Sequence, residues 1–99
     1  MEIVNKFVED LKTQVGIKIE KIILFSAKYG LDGHVTSFKL CVVADVENKF
    51  YAEKEIYMTL DCDIPFDVIV YTKSEWESLY MQEGTFANRL TQIGRVLYG

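Results

Sequence analysis

The sequence predicts an α/β (α+β) fold, a small mixed β-sheet flanked by helices. Three observations carry this. Apolar residues recur at helical spacing over the first fifteen positions. Apolar runs too short for helices follow near 19–25, 38–44 and 66–71. Capping residues and glycines punctuate helical segments between and after those runs. A chain of 99 residues supports one core, so a single domain over 1–99 is expected.

The elements follow in order. Ile3, Val4, Phe7, Val8, Leu11 and Val15 form one stripe of a helix, with Gly16 as its C′ residue. Ile19 to Phe25 reads as a buried strand interrupted by Glu20-Lys21. Ser26 to Thr36 contains Gly30 and Gly33 and reads as a loop with room for a short helical turn. Phe38 to Ala44 is a second strand; both of its faces are mostly apolar, as in an interior strand covered on each side. Asn48 caps a helix running to about Leu60. Pro65 closes the next loop, and Phe66 to Tyr71 is a third strand. Ser74 with Glu77 has the form of a capping box, predicting a helix to about Gln82. Gly84 breaks it, Thr85 caps another helix whose buried face holds Phe86, Leu90 and Ile93, and Gly94 ends that one. Arg95 to Tyr98 adds a short terminal strand. Strands two and three, joined by a helix, are expected to be parallel neighbours, which starts both at one edge of the sheet. Lys39 and Asp67 then lie near those starts.

Composition excludes several classes. Half the chain is apolar (49%) and 13% aromatic, too much for disorder. Fifteen acidic against 11 basic residues leave a charge of −4, which argues against nucleic acid as a partner. Apolar stretches such as Ile22 to Phe25 fall far short of the roughly 20 residues of a membrane span, and the opening Met1-Glu2-Ile3-Val4-Asn5 lacks the pattern of a signal peptide. No membrane association and a cytoplasmic location are expected. Cys41 sits in an apolar run and Cys62 between two aspartates; their spacing matches no zinc motif, and two reduced thiols are expected.

The order strand, glycine-bearing loop, strand, helix, followed by Phe66-Asp67-Val68-Ile69-Val70-Tyr71-Thr72, has a known counterpart. So does the tail, Ser74-Glu75-Trp76-Glu77 through Phe86 to Ile93-Gly94-Arg95-Val96-Leu97-Tyr98. Over nearly its whole length the chain resembles the minimal nucleotidyltransferase domains of the DNA polymerase β-like superfamily. The resemblance implies a Gly-Ser pair in the loop after strand one, Asp-x-Asp opening strand two and a third Asp on strand three. Those three carboxylates hold two magnesium ions that clamp a nucleoside triphosphate.

This chain departs from that pattern. The loop reads Ser26-Ala27-Lys28-Tyr29-Gly30, in which Ser26 stands either for the family's serine or for its replaced glycine. Ser37-Phe38-Lys39 occupies the place of Asp-x-Asp, and Asp67 alone matches a family carboxylate. Ser26, Gly30, Ser37, Lys39 and Asp67 are therefore vestigial positions in this reading. A lysine ammonium about 4 Å from Mg²⁺ is repelled by roughly 8 kcal/mol at an effective dielectric near 20. A serine hydroxyl is a poor magnesium ligand. No metal and no cofactor are expected, and Lys39 is expected to pair with Asp67 across the strands.

Other residues carry weaker chemistry. Asp61 and Asp63 are substitute metal ligands if they converge with Asp67, against the alternative of a solvated turn. Asp45 and Glu47 fall at the far end of strand two. Lys28 is a weak nucleotide-binding candidate beside Ser26, against plain surface solvation. His34 is a lone loop histidine with no nucleophile at motif spacing. Trp76, Leu79 and Tyr80 have the spacing of helix packing as much as of an interaction face. Three functions follow as expectations: a nucleotidyltransferase-like binding or partner module without catalysis; an active Mg-dependent transferase with displaced ligands; and an antitoxin-like partner of a helical HEPN-type protein. A homodimer is a further possibility for the partner.

Overall fold

The computed structural model describes residues 2–99. Four helices and four strands follow in the order α1 (Glu2–Gln14), β1 (Ile19–Tyr29), β2 (Val35–Ala44), α2 (Lys49–Thr59), β3 (Phe66–Thr72), α3 (Lys73–Leu79), α4 (Phe86–Ile93) and β4 (Arg95–Tyr98). The mixed sheet has the strand order β3-β2-β1-β4. β1 is antiparallel to both its neighbours, and β2 and β3 are parallel.

Alternation along the strands explains the layering. Phe38, Leu40 and Val42 join Ile22, Leu24, Val68 and Val70 under α1 and α2. The intervening residues Cys41 and Val43 join Ile23 under Trp76, Ala87 and Leu90 of α3 and α4. Two-sided burial of β2 from Leu40 to Ala44 follows from its interior position. Among the described residues no helix is long and apolar enough to cross a membrane.

Four local expectations are corrected. Residues 26–36 are not a loop: β1 continues to Tyr29 and β2 begins at Val35, leaving a tight hairpin turn. The ladder Ser26↔Lys39, Ala27↔Phe38, Lys28↔Ser37 pairs residues that carry no apolar run of their own. A chain held beside an existing strand extends by main-chain pairing whatever its local pattern. The register slips between Leu24 and Ser26, a bulge that turns Ala27 toward the larger core cluster. The turn closes through Gly30 N donating to His34 O (2.8 Å), with Gly33 at φ +84°.

The second correction concerns α3, which ends at Leu79 rather than Gln82 and is capped by Thr72 rather than Ser74. Thr72 is still extended as the last residue of β3, so its hydroxyl meets Glu75 N at 3.1 Å while Glu75 Oε1 accepts from Thr72 N at 3.1 Å. The third is minor: Gly16 follows α1 without entering the left-handed region. The fourth concerns α4, which buries Ala87 and Leu90 while Phe86 and Ile93, expected on its buried face, are exposed; Asn48, Thr85 and Gly94 cap their helices as expected.

Candidate functional site

The same alternation sorts the polar strand residues. Ser37 and Lys39 share the face of Cys41 and Val43, the face that α3 and α4 cover farther along. Register pairing puts Ser26, Lys39 and Asp67 side by side on β1, β2 and β3, and Lys28 beside Ser37 in the next row. Four of the five positions singled out by the resemblance, with Lys28, thus meet on one end of one sheet face. Lys28, Lys39 and Asp67 are exposed, while Ser26 and Ser37 are half-buried. Phe25, packed edge-on against Phe86 at 5.6 Å, stands between this polar end and the covered end. Gly30 is not part of the row; it belongs to the hairpin turn, where an added Cβ would lie 3.1 Å from Asp32 Oδ1.

The expected Lys39–Asp67 ion pair is not formed: no ion pair of 4.0 Å or less among the described residues includes either side chain. The two positions are register neighbours, but both side chains reach water. An exposed pair gains only about 0–1 kcal/mol net, because holding a lysine in one rotamer offsets most of the attraction. The row therefore presents a hydroxyl, an ammonium and a carboxylate to solvent, with the Lys28 ammonium beside them.

Asp61 and Asp63 lie elsewhere. They line a cleft of about 220 Å³ with Ile3, Lys6, Phe7 and Asp10 of α1, on the opposite side of the sheet from Asp67. Among the described residues no group of three or more His, Cys, Asp or Glu side chains is placed to hold a metal ion. The convergence required by the displaced-ligand arrangement is not present.

The remaining candidates have local roles. His34 Nδ1 is 3.0 Å from Asp32 Oδ2 at the exposed hairpin tip. The Asp32 carboxyl is held below its ordinary range, first by the His34 backbone N–H and then by the imidazole. Asp45 faces Lys18 at 3.9 Å, and Glu47 borders a cleft with Lys49, Phe50, Thr72 and Glu75 at the far ends of β2 and β3. Trp76 is a core residue, edge-on to Tyr71 at 5.7 Å and stacked on Tyr80 at 6.0 Å.

One arrangement escaped the sequence reading. β3 is an edge strand, and three of its N–H groups meet side chains instead of another strand. Val68 N donates to Tyr57 Oη (2.7 Å), Val70 N to Glu53 Oε1 (3.2 Å) and Thr72 N to Glu75 Oε1. The alternate residues of the edge are capped in turn, which closes it to strand addition. The signal was the four-residue spacing of Glu53 and Tyr57, which sets both on one side of α2.

Comparison of the chain with protein-family models, curated proteins and solved structures finds no match.

Proposed function

We propose that this chain is a nucleotidyltransferase-like module that binds an anionic ligand, a nucleotide phosphate above all, and does not carry out metal-dependent nucleotidyl transfer. One observation carries the reading: Lys39 lies in register between Ser26 and Asp67, at the sheet position where the resemblance calls for metal-binding carboxylates. A divalent ion there would meet one carboxylate against the Lys39 and Lys28 ammonium groups, a balance that does not favour cation binding. An anion meets the opposite balance, two ammonium groups and two hydroxyls against Asp67.

The strand conformation of Ser26 supports the same conclusion. Successive residues of a strand aim their N–H groups to alternate sides, so Ser26 and its neighbours do not converge free amides into the nest that cradles a triphosphate. Binding then falls to side chains, and an exposed side-chain site holds a phosphate without orienting it for attack.

Isothermal titration calorimetry with ATP, with and without Mg²⁺, tests the reading alongside an assay for transfer of label from α-labelled ATP. The expected result is binding that does not need Mg²⁺, that weakens about tenfold in Lys28→Ala/Lys39→Ala, and that leads to no label transfer. Label transfer abolished by Asp67→Asn would overturn the loss of chemistry. Absence of any ATP binding would overturn the ligand class.

A further inference from the structure

α2 departs from the usual amphipathic pattern. Ala52 and Ile56 on its inward side are fully buried, yet Phe50, Tyr51, Tyr57 and Met58 are exposed at 71%, 61%, 45% and 74%. At about 100° per residue Tyr51, Lys54, Glu55 and Met58 share one face of the helix, with Phe50 and the half-open Tyr57, whose hydroxyl caps β3, on its flank. A helix with apolar residues on both faces has a second face to cover. The four side chains leave on the order of 500 Å² open. That is at the upper end of the largest apolar patch on a typical monomer, and more than half of the ~800 Å² each partner contributes to a stable interface.

We propose that this stripe is a homodimer face, with α2 packed antiparallel against α2 of a second copy. An isologous contact requires that when one residue meets another, the reverse contact is made as well. A twofold axis between Lys54 and Glu55 satisfies this with charge complementarity. Lys54 faces Glu55 of the second copy twice, and Tyr51 faces Met58 of the second copy twice, setting a thioether against a ring. Neither Lys54 nor Glu55 belongs to an ion pair within its own chain among the described residues. An axis through Lys54 itself would set like charges together. The combination of aromatic residues and methionine is the one enriched at interface cores. The face is independent of the sheet row, so either proposal stands or falls alone.

Sedimentation velocity on the full chain over a range of concentrations tests the proposal. The expected result is a two-chain species that Tyr51→Glu/Met58→Glu converts to a single chain with an unchanged circular dichroism spectrum. Lys54→Glu and Glu55→Lys should each weaken the dimer about tenfold, and the two together should restore it to within about threefold. Three results would overturn the proposal: a wild-type chain still monomeric at millimolar concentration, a dimer that survives Tyr51→Glu/Met58→Glu, or a charge swap that associates no better than its single variants.

Discussion

Cys41 and Cys62 show how burial separates two chemically identical side chains. Cys41 has no exposed surface, and burial among apolar neighbours pushes its thiol up to about 12. The thiolate is the reactive form, so at pH 8 the native Cys41 stays protonated and inert. Cys62 is half-buried on the loop before β3 and remains accessible. Titration with a chromogenic disulfide reagent is expected to release one equivalent quickly and the second only at the rate of unfolding. Two fast equivalents would mean that the sheet opens at Cys41 without unfolding. Lys39 illustrates the same separation two residues earlier on β2, on the same face but beyond the cover of α3 and α4, where the side chain reaches solvent.

At the scale of elements, Glu75 joins three of them. It accepts from Thr72 N in the cap of α3 and from Lys49 Nζ of α2 at 2.9 Å. Its carboxyl is lowered, first by the Lys49 hydrogen bond and then by the Thr72 backbone N–H, and Lys49 is raised by the same contact. The signs fix the pH window. A carboxyl lowered on folding contributes stability that is present above its unfolded value near 4.3 and lost as pH falls through the folded value. A raised lysine contributes stability below its unfolded value near 10.4 and loses it in stronger alkali. Urea unfolding of wild type and Glu75→Gln is expected to differ by less than about 1 kcal/mol at pH 7, since both side chains are part-exposed. The difference should shrink as pH drops below the ordinary carboxylate range. A constant difference from pH 7 to pH 2 would show that the ion pair contributes nothing.

Across the whole molecule the two faces of the sheet are unequal. The α1/α2 face holds a much larger buried cluster than the α3/α4 face, whose members are Ile23, Cys41, Val43, Trp76, Ala87 and Leu90. Smaller buried contact gives a lower free energy of local opening. Native-state hydrogen exchange is expected to show α3 and α4 opening as a unit below the global unfolding energy, with the amides of β1 and β2 slowest. Equal protection on both faces would contradict this. The asymmetry also bears on the polar row, because the two short helices cover only part of their face and leave Lys39 and Asp67 open.

The segments legible in the sequence were those that carry their own signal. Helical spacing placed α1, Asn48 and Thr85 marked helix starts, and the helix joining two apolar runs made β2 and β3 parallel, with Lys39 and Asp67 in register. Those features depend on a residue's near neighbours along the chain, whose spacing is written in the order of residues. Only the tertiary structure decided that Ser26 lies in a strand, that β4 pairs with β1, and that Tyr57, Glu53 and Glu75 close the edge of β3. Each of these depends on a partner distant along the chain, and a backbone group joins whichever partner the packed sheet brings beside it.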